Sequence, residues 1–431
     1  MKKNIVHSLL FLVAIIVCGC TGGKRTGNVS SDTSEMSNAS PSTQVLTSTL
    51  PEHPVVNVYL ENSGSMNGYV DGGRTMFQQD VYNYLSDVDI SSIPSEMNLF
   101  FINSTIIPQN SVIANFIKEL NPSSFRVAGG NTATTDMADI FKMILNKTSN
   151  DTLSIFISDC IFSPGNIPSP EAYLTNQQIG IKESFAKYVA DHPNFGVMVY
   201  QLSSKFNGKY FDYRNRPHQY SGERPYYIWV MGNIYYLMQL RDSIPNRKFQ
   251  GSGVQNYWFA STYQMDEINY SVLPAPRNGS FDKTGKADLR NVKADKNGDF
   301  MFTIAADLRL LELILGDDYL MDSDNYARLL GKNLSENIKI KIERNENAKS
   351  PATHNFSLKT EKYIPTGEIK VVLQCLPPEW AYTMTDDDDT QLTDLNSNKT
   401  YGLKYLLLGV HQGLTARNSG HYMNMIVNLN K

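Results

Sequence analysis

The chain has 431 residues, of which 41% are hydrophobic and 19% charged, and its formal net charge is -4 at pH 7. Such a composition is typical of a globular protein of roughly two to three domains and excludes a collagen-like or wholly disordered chain. Because no long basic run lies beyond the extreme N-terminus, the sequence offers little to a phosphate backbone, and nucleic acid is not an expected partner.

The first twenty residues have the pattern of a processing signal. Lys2 and Lys3 precede an apolar run, and the run ends in Val17-Cys18-Gly19-Cys20. This resembles a bacterial lipoprotein signal, which implies that residues 1–19 are a signal peptide and that Cys20 carries a lipid. A simple signal peptide or a membrane anchor is the alternative interpretation. We expect an extracytoplasmic protein whose contact with the membrane is its N-terminal lipid.

Residues 20–53 are rich in Ser, Thr, Asn and Gly, which predicts a flexible tether. No acidic cluster follows Cys20, which favours a periplasm-facing lipoprotein of the cell envelope over one at the cell surface. Cys160 and Cys375 are far apart in the sequence, and we expect buried free thiols rather than a disulfide.

From residue 54 onward, strand and helix patterns alternate. Strands are predicted at residues 55–60, 97–103, 153–158, 195–202 and 226–231, and helices at 75–86, 135–145, 177–191 and 234–240, with short helical segments before residue 120. A polar, Tyr-rich loop is predicted between residues 202 and 226. This alternation predicts an α/β fold with a doubly wound, mostly parallel sheet over residues 54–250.

The opening strand leads into a cluster of oxygen-bearing side chains. Glu61, Ser63 and Ser65 follow at a spacing of two, so in an extended segment they project to one side. Asp159 follows another buried strand, and a Gly-rich loop over residues 127–131 precedes further hydroxyls. Ligands of such folds bind at the carboxyl ends of the strands, and oxygen-only sets suit Mg²⁺, Mn²⁺ or Ca²⁺.

Three segments together resemble the metal-ion-dependent adhesion site of von Willebrand factor A-type domains. They are Glu61-Asn62-Ser63-Gly64-Ser65-Met66, the loop from Gly129 to Thr135-Asp136-Met137, and Ile157-Ser158-Asp159. The resemblance implies that Ser63, Ser65, Thr135 and Asp159 match the metal-binding residues of that family, with Thr132 as a competing choice for the threonine. It also implies that Glu61 and Asp159 supply the negative charge of the metal site, as direct ligands or just behind them.

Two positions depart from the family pattern. Glu61 stands where the family has Asp, and Cys160 stands where it usually has Gly. One extra methylene moves a carboxylate by roughly 1.5 Å, and Mg²⁺ tolerates little geometric error. Glu61 therefore separates two interpretations, a metal site and a degenerate domain whose oxygens only hydrogen-bond the loops together.

Residues 251–431 have a different pattern. Strands are predicted at residues 300–305, 338–343, 356–359, 369–374 and 422–428, which favours a β-rich, antiparallel sandwich. Leucines and a valine over residues 403–414 predict one helix that covers the sheet, or alternatively binds a partner. The acidic run at residues 386–389 is expected to be a solvated loop, and Asn297-Gly298 a hairpin turn. The aromatic residues near 226–236 are expected to be buried packing rather than a recognition surface.

We therefore expect a binding, adhesion or assembly protein rather than an enzyme. The resemblance implies that a divalent cation at the strand ends accepts an acidic side chain from a partner protein, with a glycan as the alternative ligand. A metal-free scaffold in the envelope is the main alternative. A metal-dependent hydrolase is weaker, because the sequence lacks a positioned His or a second metal cluster for acid/base or two-metal chemistry.

Overall fold

The computed structural model describes residues 50–132, 136–249, 253–265, 267–417 and 419–430. The predicted signal peptide, Cys20, most of the tether and Thr135 lie outside the described residues.

The strands of the first sheet are β1 (Val55–Glu61), β2 (Glu96–Ile102), β3 (Ile106–Gln109), β4 (Thr152–Ser158), β5 (Phe195–Phe211), β6 (Pro217–Asn233) and β7 (Asn256–Ser261). The helices in this half are α1 (Met76–Ile90), α2 (Ile113–Lys118), α3 (Pro122–Ala128), α4 (Met137–Leu145), α5 (Pro170–Tyr188) and α6 (Ile234–Ser243).

The first sheet has seven strands in the order β3-β2-β1-β4-β6-β5-β7. Strand β1 pairs in parallel with β2 and β4, whereas the other four pairings are antiparallel. The prediction of a mostly parallel sheet is therefore wrong, and the sheet is mixed. The physical reason is that a short turn joins β5 to β6, which forces them to run antiparallel, and β6 lies between β4 and β5.

The long hairpin β5–β6 replaces the loop predicted between residues 202 and 226. Its two strands pair along their whole length, from Phe195 with Asn233 to Phe211 with Pro217. In the outer part of β5, Phe206 and Tyr210 are buried, whereas Lys205 and Lys209 are exposed. This alternation of buried and exposed residues is the period-two pattern of a half-covered strand. The outer hairpin thus extends beyond the strand ends of the sheet.

The first turn of the chain after β1 fits closely beneath this hairpin. Residues Ser65–Tyr69 form a 3₁₀ helix, and the Tyr69 ring meets the Phe206 ring edge-on with centroids 5.1 Å apart. A Cβ atom at Gly68 would lie 2.3 Å from Phe206 Cζ, so only glycine allows this approach.

Helix α1 begins with a capping box in which the Thr75 hydroxyl accepts from the Gln78 amide and the Gln78 side chain accepts from the Thr75 amide. Within it, Asp80 is buried, and its Oδ2 accepts a hydrogen bond of 3.2 Å from the Tyr226 hydroxyl. Its Oδ1 has no hydrogen-bond partner among the described residues. Burial raises the pKa of Asp80 to about 6.

We expect Asp80→Asn to stabilise the protein at pH 8 by about 1–2 kcal/mol, because it removes the cost of burying a charge. The folded pKa lies above the unfolded value near 4, so the folded state holds the extra proton and the native aspartate loses stability as pH rises from about 4 to 6. Urea unfolding at pH 8 and pH 4 checks this. A gain that persists unchanged at pH 4 would contradict the charge explanation.

The second half contains β8 (Tyr270–Val272), β9 (Ser280–Thr284), β10 (Asp288–Lys293), β11 (Phe300–Ala306), β12 (Tyr326–Leu330), β13 (Asn333–Leu334), β14 (Lys339–Arg344), β15 (His354–Thr360), β16 (Gly367–Gln374), β17 (Thr385–Asp386), β18 (Thr400–Tyr401) and β19 (His421–Leu429). Its helices are α7 (Arg309–Leu315), α8 (Asp317–Met321), α9 (Trp380–Thr383) and α10 (Leu403–Leu414).

These strands form a six-stranded sheet in the order β13-β12-β16-β19-β10-β9 and a four-stranded sheet in the order β14-β15-β11-β8. Within these two sheets all pairings are antiparallel except β10 with β19. Strands β17 and β18 pair in parallel in a separate two-stranded sheet. The predicted strands are confirmed at β11, β14, β15, β16 and β19. Strand β7, although it follows residue 251, belongs to the first sheet.

Helix α10 packs against α5, and this corrects the prediction that it covers the later sheets. Leu403, Leu406, Leu407, Val410 and Leu414 are buried as its periodicity predicts. Glycines on the same helix let the two backbones approach. A Cβ atom at Gly409 would lie 2.9 Å from the Gln178 carbonyl oxygen, and one at Gly413 would lie 2.4 Å from Phe185 Cβ.

The two cysteines and the aromatic residues lie where the sequence predicts, whereas the turn at Asn297-Gly298 differs from its prediction. Cys160 and Cys375 are buried free thiols, as predicted. The aromatic residues of β6 and α6 pack in the core as expected, since Tyr226, Tyr227, Trp229 and Tyr236 are buried. Asn297-Gly298 lies in a turn, but the strands that it joins, β10 and β11, belong to different sheets, so the turn does not close a hairpin.

Candidate functional site

The carboxyl end of β1 leads into a tight turn that brings Ser63 and Ser65 together. Their hydroxyl oxygens are 2.9 Å apart. The Gly64 amide donates to the Thr132 carbonyl at 2.9 Å, and the Asn67 side chain donates to the Gly64 carbonyl at 3.0 Å. These two hydrogen bonds hold the amide and the carbonyl of Gly64, which fixes the turn. The Ser63 and Ser65 hydroxyls therefore lie on the same side of the chain, as their spacing predicts.

Glu61 lies at the end of β1 and is buried. The Ser158 hydroxyl, from the neighbouring end of β4, donates a short hydrogen bond to Glu61 Oε2. The same hydroxyl accepts from the Cys160 amide at 2.7 Å. The Glu61 side chain, which is one methylene longer than an aspartate, therefore contacts the end of β4.

Asp159 follows directly and is also buried, with 1% of its surface exposed. Its Oδ1 accepts from the Ile161 amide at 3.3 Å, whereas Oδ2 has no hydrogen-bond partner among the described residues. Burial raises the pKa of Asp159, while the Ser65 hydroxyl, the Ile161 amide and the Arg224 guanidinium act in the opposite direction. A carboxylate oxygen without a partner at this depth has free capacity to bind a cation or a donor.

Cys160 adopts a backbone conformation that favours glycine, with φ at 56°. Its sulfur accepts a hydrogen bond from the Trp229 indole at 3.3 Å, and burial raises the pKa of the thiol well above its ordinary value. A neutral, buried thiol of this kind is inert, so we assign Cys160 to packing.

Asparagine side chains hold the Gly-rich loop against the turn that follows β1. The Asn103 side chain donates to Asn62 Oδ1 at 3.0 Å and to the Gly129 carbonyl at 2.9 Å, while Asn62 donates to the Phe125 carbonyl at 3.1 Å. Thr132 thereby lies against Gly64, and it lines the cleft above the serines. Thr135, the threonine that the family resemblance favours, lies outside the described residues.

A cleft of about 250 Å³ opens over the two serines. Its walls include Ser63, Ser65, Thr132, Ser163, Phe211 and Asn215. Phe211 ends β5 and Asn215 lies in the turn that follows it, a wall that the sequence does not indicate because its pattern predicts a loop there.

The hairpin turn is organised by one buried carboxylate, Asp212. It accepts from the backbone amides of Arg214 at 3.0 Å and Arg216 at 2.9 Å, from Arg216 Nε at 3.0 Å, and contacts His218 Nε2 at 3.0 Å. Although burial acts to raise it, these partners together lower the pKa of Asp212. The turn that walls the cleft is therefore preorganised.

Residues 386–401, the closing segment, cover the outer hairpin. Asp389 is buried, accepts from the Tyr213 amide at 2.8 Å and receives a short hydrogen bond from the Tyr210 hydroxyl. Burial raises its pKa to about 6. The prediction that the whole acidic run is solvated is therefore wrong for Asp389, because two hydrogen bonds compensate its burial, although Asp387 and Asp388 are exposed.

Comparisons with models of protein families, with curated proteins and with solved structures find no match to this chain. Among the described residues, no helix is long and apolar enough to cross a membrane.

The donor set fits a hard divalent cation through oxygen atoms alone. Ser63 and Ser65 supply adjacent hydroxyls, and Asp159 supplies a buried carboxylate with one unpartnered oxygen. The described residues contain no group of three or more His, Cys, Asp or Glu side chains placed to share a metal ion. A site here would consequently depend on hydroxyl ligands, which suit Mg²⁺ or Mn²⁺ rather than zinc.

Proposed function

We propose that this chain is a lipid-anchored protein of the bacterial envelope that binds a partner protein through the cleft over Ser63 and Ser65. The proposal includes a von Willebrand factor A-type arrangement for the predicted range 54–250, extended to include β7, and a β-sandwich for the strands from β8 onward. The supporting observation is the adjacent pair of serine hydroxyls at the strand ends, beside a buried aspartate oxygen that has no partner among the described residues.

In this proposal Ser63, Ser65 and Asp159 would hold Mg²⁺ or Mn²⁺, and Thr135 is the predicted further ligand. A bound divalent cation supplies an electrostatic anchor for an acidic group of the partner. Glu61, which accepts a hydrogen bond from the Ser158 hydroxyl, is the further predicted carboxylate of this site. Phe211 and Asn215 wall the cleft and limit how a partner enters.

We expect 5 mM Mg²⁺ or Mn²⁺ to raise the melting temperature of the full chain by roughly 2–4 °C over its value in EDTA, through binding to the folded state alone. The double variant Ser63→Ala, Ser65→Ala should lose this rise. Ser163→Ala, which removes a hydroxyl from the wall of the same cleft, is the matched control and should keep it. An unchanged melting temperature in the wild type with both ions would refute the cation site.

A metal-free scaffold is the second candidate, and one observation favours it. The Ser63 and Ser65 hydroxyls bond to each other, and Ser158 bonds to Glu61, so several oxygens of the site already have partners. Capture of envelope proteins on the immobilised chain, with and without EDTA, separates the candidates. Capture that survives both EDTA and the double serine substitution would favour the scaffold.

A further inference from the structure

Arg224 on β6 is a buried charge that the sequence did not single out. Only 1% of its surface is exposed, and it is among the largest fully buried side chains of the described residues. Removing a guanidinium from water costs a great deal unless opposite charge and hydrogen bonds compensate it. The surroundings of Arg224 therefore need an explanation.

Its hydrogen bonds do not supply that compensation. Nη1 donates to the Ser397 carbonyl at 2.9 Å, and the guanidinium lies over the Tyr210 ring at 4.7 Å. Nε and Nη2 have no hydrogen-bond partner among the described residues. Arg241 offers a contrast, since two of its nitrogens donate to the carbonyls of Leu313 and Ile314 and it pairs with Asp242.

Opposite charge is nevertheless close by. Ser158 at the end of β4 pairs with Tyr227 of β6, so Asp159 and Arg224 lie one and three residues beyond this pair on adjacent segments. The Tyr210 ring beneath the guanidinium carries the hydroxyl that donates to Asp389. In keeping with these positions, the guanidinium acts to lower the pKa of both carboxyls. Asp159 has its own unpartnered oxygen, Oδ2. Two buried groups of opposite charge, each with free hydrogen-bonding atoms, thus belong to one cluster at the end of β4, where low polarity strengthens their attraction.

From this cluster we infer that Arg224 is the built-in counter-charge of the strand-end site, so that it balances Asp159 without metal and weakens the binding of a divalent cation there. The guanidinium repels an incoming cation and attracts the carboxylate that would bind it. The part of this inference that concerns cation affinity rests on the proposed function, whereas the pairing of Arg224 with Asp159 does not.

Calorimetric titration of the full chain in detergent with MnCl₂ tests the first part. Arg224→Gln removes the charge and keeps an amide that can donate to Ser397, and it should bind Mn²⁺ about 10- to 100-fold more tightly than the wild type. Arg224→Lys should restore weak binding. Arg241→Gln, the matched control, should leave the affinity unchanged. Equal affinity in wild type and Arg224→Gln would overturn this part.

A double-variant cycle in EDTA tests the pairing without metal. If Arg224 balances Asp159, Arg224→Gln and Asp159→Asn should each raise the equilibrium constant of unfolding. The double variant should raise it by a factor that is at least about tenfold smaller than the product of the two single factors. Multiplicative effects would overturn the inference. If no variant binds Mn²⁺ but the cycle shows coupling, the proposed cation site fails and the counter-charge stands.

Should Arg224→Gln not fold, Asp159→Asn alone remains decisive. Asp80 is a second buried aspartate whose pKa burial raises, and its hydrogen bond comes from the Tyr226 hydroxyl. At pH 8 in EDTA, Asp80→Asn should lower the unfolding constant, whereas Asp159→Asn should raise it because the guanidinium loses its counter-charge. A stabilising effect of Asp159→Asn equal to that of Asp80→Asn would overturn the inference.

Discussion

Replacing Gly413 with valine should lower the free energy of unfolding by about 3 kcal/mol or more. Even a single Cβ atom at this position would lie 2.4 Å from Phe185 Cβ and 2.9 Å from the Lys182 carbonyl oxygen. The second contact is with backbone, so a change of side-chain rotamer cannot relieve it. Helix α10 would have to move away from α5, which exposes the apolar side chains between them.

Urea unfolding followed by circular dichroism measures this effect. Ala416→Val is the matched control, because it also adds methyl groups near the end of α10, at an exposed position, and should change stability by less than about 0.5 kcal/mol. Gly409→Val should resemble Gly413→Val, since its added carbon would meet the Gln178 carbonyl at 2.9 Å. A loss below about 1 kcal/mol at both glycines would show that the two helices can separate freely.

The close contact of α10 with α5 shows what sequence periodicity can and cannot predict. The spacing of the leucines predicted the helix and its buried face, because those depend on neighbours in the chain. The partner of that face depends on which surface lies opposite in the folded chain. Gly409 and Gly413, four residues apart, were the available signal, since small residues at that spacing permit close helix packing.

The strand-end site was predictable in part for a similar reason. Glu61 ends β1, Ser63 and Ser65 follow it, and Asp159 follows β4. Both strands are largely buried, and long apolar runs identify such strands reliably. The structure brings the two serines together and buries both carboxylates beside them. Thr135 stays a prediction, because it lies outside the described residues.

Several residues that the sequence does not identify depend on the β5–β6 hairpin. Charged and polar residues occupy the exposed positions of its outer strands, so residues 203–225 resembled a loop. Arg224 and Asp389 were missed as buried groups because isolated charges are usually solvated. Their burial follows from the closing segment, which lies far from the hairpin in sequence and covers it in the fold.

The turn of that hairpin leads to the second large effect. Asp212→Ala should lower the free energy of unfolding by about 2–3 kcal/mol, because two backbone amides and the Arg216 and His218 side chains lose their common acceptor. The turn carries Asn215, which walls the cleft. Hydrogen exchange should therefore show faster exchange of the Arg214 and Arg216 amides, and partner capture should weaken.

The pH dependence separates a charge effect from simple loss of packing. Asp212→Asn keeps the shape and one oxygen for the backbone amides, so it should cost less than alanine, about 1–2 kcal/mol at pH 7. Because the folded pKa of Asp212 is lowered, its ionised form stabilises the protein above the unfolded value near 4, and this contribution is lost as pH falls through the folded pKa. The difference between wild type and Asp212→Asn should therefore shrink below pH 4, opposite to the behaviour expected at Asp80. A difference that stays constant from pH 7 to pH 3 would mean that Asp212 organises the turn by shape and not by charge.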